Sequence, residues 1–481
     1  MFYIFWFRKD LRLIDNRALS EFTKTVSDKN KFTFLYIKNK NTYNYFGQKR
    51  ISFLLECLDE LTSELISFGF TLQVVEGKSF SVFERLIDRY NSINVFTNKQ
   101  VEPYCIERDK AVSSLIESQG GEFNSFSDTT IFETGEIKNG LGEQYKVFTP
   151  FKNRALEVLS KDNYKKINSN LSELKSGNEV LPKDFGEFNI KSEYKKLEHS
   201  EFIKGGRIEG LKLLKSFYEN DLELYQSKRN FPYLKGTSLL SPHLHFGTIG
   251  IREAFRTAIS KSGKVSGSKK ISTQTWINEL LWREFYYNIT FHNPQITYQS
   301  FRKEFDDLKW NYDESIFSKW CEGMTGFPIV DAGMRQLNKE GWMHNRVRMI
   351  TAMFFTKDLL MDWRFGENYF AQKLIDLDFS NNNGGWQWSS STGVDAQPYF
   401  RIFNPYLQSK KFDAKGDYIK KYVPELRSLP EKFIHQPDLM SEMEQEMYNV
   451  RIGKDYPGPI VDHSKVRNEV IEKFKKLSEK F

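Results

Sequence analysis

Over the first 130 residues, short apolar runs alternate with longer segments of helical period. Residues 2–7, 32–37, 71–75 and 93–97 are apolar runs bounded by polar clusters, which predicts four β-strands. Between the second and third, residues 48–67 form a helical stretch, and Gly69 follows as a stop signal. A helix between successive strands implies a parallel sheet whose right-handed crossovers cover both faces. The turn after the first strand reads Arg8-Lys9-Asp10-Leu11-Arg12. It holds no glycine, so the GxGxxG turn that cradles a pyrophosphate is absent there.

From 155 to 200 the chain turns polar, rich in Lys, Glu, Ser and Asn, and reads as a connector over the surface. After Gly205-Gly206 the apolar period is helical and remains so, at 208–218, 271–291, 329–337, 343–360 and 369–377. Residues 464–481 read as a charged amphipathic helix, and no internal repeat is evident. The pattern predicts an α/β domain over 1–130, a connector over 131–204 and a larger all-α domain over 205–481.

Composition narrows the function classes. A chain of 481 residues is too long for one core, in keeping with two or three domains. The net charge of +7 permits a basic surface for a polyanion without requiring one, because 63 acidic residues offset 70 basic ones. Cys57, Cys105 and Cys321 lie far apart, with no CxxC pair and no disulfide framework, which fits a reducing compartment. The histidines show no HExxH and no repeated ligand spacing, so no metal site is expected, and His243 and His245 read as local packing. The N-terminal apolar run is too short for a signal peptide, and no run approaches membrane-spanning length. A soluble, cytoplasmic protein is expected.

All nine tryptophans but Trp6 lie between positions 276 and 388. Indole stacks on flat rings such as nucleobases and can be oxidised by one electron, so the grouping suggests more than an aromatic core. Four segments carry candidate chemistry. In Gly236-Thr237-Ser238-Leu239-Leu240-Ser241-Pro242, Ser241 and Pro242 form a helix start with a hydroxyl N-cap, and clustered hydroxyls there also suit an anion. In Thr275-Trp276-Ile277-Asn278-Glu279-Leu280-Leu281-Trp282-Arg283, Glu279 shares a helical face with Trp276 and Trp282. Glu279 either forms a helical salt bridge with Arg283 or hydrogen-bonds a flat ligand stacked on Trp282.

In Trp342-Met343-His344-Asn345-Arg346-Val347-Arg348-Met349, Asn345 and Met349 share one helical face, which suits an uncharged aromatic ligand. Arg346 and Arg348 point elsewhere and suit phosphates. The last segment runs from Asp376 and Asp378 through Asn381-Asn382-Asn383-Gly384-Gly385-Trp386-Gln387-Trp388. Its glycines allow close approach of a ligand, and its amides and carboxylates supply oriented hydrogen bonds. Trp386 and Trp388 are two apart and cannot do the same job. Arg401, further on, is a candidate phosphate contact.

Taken together, these motifs resemble the photolyase/cryptochrome family over essentially the whole chain. The resemblance rests on Trp6-Phe7-Arg8-Lys9-Asp10-Leu11-Arg12, Lys146-Val147-Phe148-Thr149-Pro150-Phe151, Gly326-Phe327-Pro328-Ile329-Val330-Asp331-Ala332, Trp342-Met343-His344-Asn345-Arg346, Asp362-Trp363-Arg364 and the Asn-Asn-Gly-Gly-Trp-Gln-Trp segment. Within the family the chain is most similar to class I cyclobutane pyrimidine dimer photolyases. The resemblance implies a Rossmann-like N-terminal α/β domain and an all-α C-terminal domain that binds FAD. It implies FAD contacts at Tyr225, Thr237, Ser238, Leu239, Leu240, Ser241, Trp276, Glu279, Arg283, Asn345, Arg348, Asp376, Asp378 and Asn382, with Asn382 beside flavin N5. Trp386, Trp363 and Trp310 correspond to the family's light-driven reduction chain, from flavin outward. Glu279, Trp282, Asn345, Met349 and Trp388 correspond to the lesion pocket. Arg346 and Arg401, with Lys228 or Arg229, correspond to DNA phosphate contacts.

The activity so implied is repair of UV-damaged DNA. The dimer is flipped out of the duplex, excited reduced flavin donates one electron, the cyclobutane bonds break and the electron returns. Asn345 carries no proton to give, which argues for simple bond splitting over the proton-moving repair of (6-4) photolyases. Relatives that bind a folate antenna carry a glutamate where Cys105 stands and a Cys-Lys pair near Ile296-Thr297. A folate is therefore not expected, and a deazaflavin, a second flavin or no antenna stay open. A cryptochrome-type blue-light receptor is the alternative function. A non-catalytic nucleic-acid-binding module explains Trp282 and Trp388 but not the Asn-Gly-Asp cluster. The enzyme is expected to act as a monomer.

Overall fold

A computed structural model of the chain describes every residue except 28, 175–176, 187 and 480–481. The chain packs into two compact units, one of residues 1–226 with 238–294 and one of 227–237 with 295–481. The expected boundary at residue 204 falls inside the first unit.

The first unit is built on five parallel strands, β1 (Phe2–Phe7), β2 (Lys31–Lys38), β3 (Leu72–Glu76), β4 (Ile93–Asn98) and β5 (Glu122–Phe126), in the order β3-β2-β1-β4-β5. Register sets Phe5 beside Phe34 on β2 and Phe96 on β4. The Phe5 ring meets Phe7, Phe22 and Phe34 in edge-to-face contacts, a geometry aromatic quadrupoles prefer. The helix Gln48–Ser67 forms as expected. The fifth strand was not expected. Its sequence EFNSF has polar residues at three of its positions and lies on the sheet edge, so it shows no buried-strand pattern.

The Arg8–Arg12 turn spends its charges inside this unit. Asp128 bridges Arg12 and Arg252, and Asp15 pairs with Arg252 at 3.0 Å and Arg256 at 2.5 Å. Burial pushes the Asp128 carboxyl up, but the Arg12 and Arg252 guanidiniums outweigh it and hold it well below the usual carboxylate range. Arg12 also donates to the carbonyls of Gly247 at 3.0 Å and Asp15 at 2.7 Å. Gly247 has φ +70, and a β-carbon there would overlap the Lys9 backbone, so only glycine lets the two segments meet. These bonds tie the helix Ile251–Ser262, which follows the expected boundary, to the sheet's own turn. In the connector, Phe32 N donates to Gly177 O at 2.8 Å.

The second unit is helical among the described residues, with helices that include Pro328–Glu340, Asn345–Met353, Trp363–Lys373, Phe379–Ser390, Pro405–Phe412 and His463–Ser478. Two expectations are corrected here. The helix expected over 343–360 starts at Asn345, after the N-cap His344, and its α-helical part ends at Met353. It then widens into a π-helical turn, Phe354–Asp358, around the buried Lys357, whose Nζ donates to Ser390 O at 2.9 Å. The helix expected over 369–377 ends at Lys373, where Leu374 turns extended and Ile375 N donates to Gly341 O at 2.8 Å. The last expected helix forms as His463–Ser478, and residues 480–481 lie outside the described ones. Among the described residues, no helix is long and apolar enough to cross a membrane, and no group of three or more His, Cys, Asp or Glu could hold a metal.

Candidate active site

In the first unit the candidate residues gather on the helix Gly267–His292 and the segment before Pro242. Trp276 is buried, and its ring lies 5.0 Å from Phe217, which in turn meets Tyr225 at 5.8 Å. One turn on, Glu279 is half-buried, and Trp282 follows, also half-buried. Arg283 directs Nη1 to Thr129 O at 2.6 Å and Nη2 to the Tyr287 hydroxyl at 3.0 Å, with its guanidinium 4.5 Å from the Tyr287 ring centre.

Ser241 is not the N-cap that its pairing with Pro242 suggests. Leu240 takes that place, with its carbonyl accepting from Leu244 N at 2.8 Å, and Ser241 is the first helical residue, exposed. The cause is Leu239, whose φ of +54 turns the chain one residue early. A left-handed non-glycine residue costs on the order of 1–3 kcal/mol and is held only where its surroundings demand it. Ser238 Oγ accepts from Leu240 N at 3.4 Å, and Ser238 is half-buried. The histidines are packing residues: His243 Nδ1 meets Thr248 Oγ1 at 2.9 Å, and His245 Nε2 meets Arg50 at 2.9 Å.

In the second unit, two helix starts carry the candidates. His344 caps the helix Asn345–Met353 by accepting from Arg346 N at 3.1 Å. Burial, reinforced by the charges of Arg346 and Arg348, lowers the His344 pKa to about 3, so the ring stays neutral and keeps its capping lone pair. Asn345 is exposed, and its amide reaches Met349 Sδ at 3.9 Å, so the two share a face as the spacing predicts. Arg348 turns the other way. It donates to both Asp376 oxygens at 3.1 and 2.8 Å, and through Nε to Met343 O at 2.8 Å. Arg346 donates to Asn230 at 2.7 Å and lies 4.5 Å from the Phe412 ring centre.

The Asn-Asn-Gly-Gly-Trp-Gln-Trp segment is helical, within Phe379–Ser390, with Asp378 as N-cap accepting from Asn381 N at 3.1 Å. On a helix, residues two apart face nearly opposite ways. Accordingly Trp386 is 2% exposed, whereas Trp388 is half-buried. The Asn382 amide donates to Glu367 O at 3.2 Å. Nothing stands within 4 Å of where a β-carbon of Gly385 would be, so a ligand can come close to the backbone there.

Trp363 is fully buried, and Trp310 is part-exposed with its ring 6.3 Å from Phe474. Trp386 is enclosed by Phe370 at 5.0 Å, Phe355 at 5.8 Å and Trp320 at 6.1 Å. The indole N–H groups of Trp386 and Trp363 are buried with no acceptor among the described residues. Thr237 is half-buried and Arg401 is exposed.

Three contributors were given no role in the site from the sequence. Gly366 is one: a β-carbon there would overlap the Trp386 ring, so the indole can sit where it does only over glycine. Glu367 accepts from Asn383 Nδ2 at 3.1 Å, and burial pushes its carboxyl up to about 8, so it is a neutral acid at pH 7. Only its place four residues after Trp363 hinted at it. Phe148 is the third, with its ring 3.7 Å from that of Trp282 and 12° from parallel. The Gly326–Ala332 motif, by contrast, is internal. Asp331 accepts from Thr325 N at 2.7 Å and from the Tyr456 hydroxyl at 2.5 Å.

Comparison with known proteins matches both parts of the chain, as "DNA photolyase" over residues 3–169 and "FAD binding domain of DNA photolyase" over 276–476. A deoxyribodipyrimidine photo-lyase of Alkalihalophilus pseudofirmus is 37% identical, covering 98% of this chain and 97% of its own length. The crystal structure of a bacterial class III photolyase from Agrobacterium tumefaciens matches with a TM-score of 0.89 at 35% identity, covering 99% of this chain and 98% of the other. A cryptochrome from Synechocystis matches with a TM-score of 0.85 at 27% identity, covering 98% of each chain. With both family models matched in order and a relative 37% identical over nearly the whole length of both chains, this chain belongs to the DNA photolyase family.

Proposed function

We infer that this chain is a light-dependent DNA repair enzyme, a deoxyribodipyrimidine photo-lyase that binds FAD and splits cyclobutane pyrimidine dimers. The observation that carries this reading is one helix, Phe379–Ser390, which bears Asn382, a buried Trp386 and a half-exposed Trp388 within two turns. Relatives named deoxyribodipyrimidine photo-lyase run nearly the full length of the chain.

The residues fit a flavin. Neutral amides at Asn345 and Asn382, open space at Gly385 and an Arg348 fork anchored by Asp376 suit a large polar ring with a phosphate tail. The family resemblance also gives FAD contacts to Trp276, Tyr225 and the hydroxyls of Thr237, Ser238 and Ser241. Reduced FAD, when bound, supplies the light absorption and the single electron of the reaction.

The chain's own groups do the rest. Trp282 and Trp388 stack on the flipped lesion. Glu279 and Asn345 hydrogen-bond its base edges, and the charge that develops there in the reaction is stabilised by these fixed groups. Met349 fills the pocket beside Asn345. Arg346, steadied by Asn230, and the exposed Arg401 contact phosphates. Trp386, Trp363 and Trp310 relay electrons inward when the cofactor is oxidised. An oxidised indole loses its ring proton only to an acceptor. The inner two have none among the described residues, which favours charge staying mobile on them, whereas solvent can take the proton at the part-exposed Trp310. We place this activity in the cytoplasm, in a monomer; a dimer mass by light scattering would contradict the second point.

The test is survival of a UV-irradiated bacterial strain that lacks photolyase and carries this gene. Survival is expected to rise under visible light and not in the dark. Equal survival in light and dark would overturn the assignment.

A further inference from the structure

The Lys146–Phe151 motif has so far no role in the reaction, and one of its residues makes the closest ring contact to a proposed lesion-binding side chain. Phe148 opens the helix Phe148–Val158 and is 7% exposed. Its ring lies against the Trp282 indole at 3.7 Å between centroids and 12° between planes, face to face rather than edge to face. It is held from behind by Phe285, at 5.9 Å and 72°, which Phe151 also meets at 5.4 Å. Trp282 meets Phe285 at 5.6 Å and Tyr286 at 5.6 Å. The indole is thus set in a bracket of rings, yet part of it stays exposed.

We propose that Phe148 is a positioning residue for lesion recognition: its ring covers one face of Trp282 and fixes the indole plane, so that the other face is held ready for a single base of the pyrimidine dimer. The proposal rests on the reading of Trp282 as a stacking platform. Its physical ground is pre-organisation. A free indole on a helix surface samples several rotamers, and stopping that motion on binding opposes association. A Phe ring packed flat on the far face removes the motion beforehand and excludes water from that side. A base and Phe148 then sandwich the indole, which limits Trp282 to one partner and sets the height at which the dimer rests.

The test uses the intact FAD-loaded enzyme in the dark, with a duplex carrying one thymine dimer and the same duplex undamaged, followed by fluorescence anisotropy. Phe148→Ala is expected to lower the preference for damaged DNA about tenfold, within the range a base–aromatic stack is worth. Phe148→Leu keeps the apolar volume without a flat face and is expected to lose most of the same preference. Phe148→Tyr is expected to stay within about twofold of the parent. FAD content and the salt dependence are expected to be unchanged, because phosphate contacts are untouched. In a Trp282→Ala background, Phe148→Ala is expected to add less than about twofold, the non-additivity of residues that act through one another. A loss of preference on Trp282→Ala with none on Phe148→Ala or Phe148→Leu would overturn the proposal, as would full additivity in the double variant. Unchanged preference on Trp282→Ala would instead remove the stacking role of Trp282 itself.

Discussion

Arg12, Arg252, Asp15 and Asp128 in the first unit all have side chains 1–2% exposed, whereas Arg348 in the second leaves 23% of its side chain in reach of solvent beside an Asp376 that is 2% exposed. The same residue types serve different ends. In the first arrangement, two arginines and two carboxylates are closed on each other and on backbone carbonyls, so the set binds the turn after β1 to a later helix. In the second, Asp376 and the Met343 carbonyl hold the guanidinium while part of it stays in reach of solvent. Buried charge closed off from solvent by opposite charge reads as structure, and paired charge left partly in reach of solvent reads as a site. The aromatic residues divide the same way. The Phe5–Phe7–Phe34 rings of the sheet core pack on one another, while Trp282 and Trp388 leave part of their surface uncovered.

The largest expected effect is on the closed arrangement. Asp128→Ala leaves Arg12 and Arg252 short of a buried partner and should cost about 3–5 kcal/mol in urea denaturation. A loss below about 1 kcal/mol would break the contrast. Glu284 sharpens it, as a carboxylate 1% exposed whose first partners are the backbone N–H groups of Phe132 and Ile131 rather than a guanidinium. Burial pushes its carboxyl from 4.5 up to about 7. The folded protein therefore keeps a proton that the unfolded chain releases, and stability falls as pH rises between those two values. Glu284→Gln should remove roughly 2–3 kcal/mol of that decline, measured as the difference between pH 4.5 and 7. An unchanged pH dependence would show that Glu284 is ionised in the fold.

Smaller effects follow at the half-open arrangement. Arg348→Lys keeps the charge but loses the planar group that reaches Asp376 through Nη2 and the Met343 carbonyl through Nε at once, and FAD is expected to bind about tenfold more weakly while the melting temperature changes little. A large fall in melting temperature with FAD affinity intact would make Arg348 structural like Arg252. At the exposed end, Arg401→Ala should reduce the log–log salt slope of damaged-DNA binding by about one. An unaltered slope would exclude it as a phosphate contact.

Much of this was legible in the sequence because it is periodic or local. The first four strands and the helix Gln48–Ser67 follow from apolar runs and a stop signal. The Asn345–Met349 face and the opposed Trp386 and Trp388 follow from helical spacing. What was not legible depends on partners distant in sequence. β5 is polar and exists because β4 pairs with it. The π-helical turn at Phe354–Asp358 encloses Lys357, whose acceptor lies 33 residues later. Ser241 lost its capping role to the left-handed Leu239, which nothing in the local pattern marks. Gly366 matters only because Trp386 lies over it, and Phe148 only because Trp282 does.

Light drives this protein to undo pyrimidine dimers through FAD, and that reaction can be followed directly. The most direct measurement mixes the fully reduced, FAD-loaded enzyme with an oligonucleotide bearing one thymine dimer and counts restored thymines by chromatography, with and without near-UV light. Many lesions restored per enzyme under illumination, and none in the dark, are expected. Bound lesion that stays intact through prolonged illumination would contradict this.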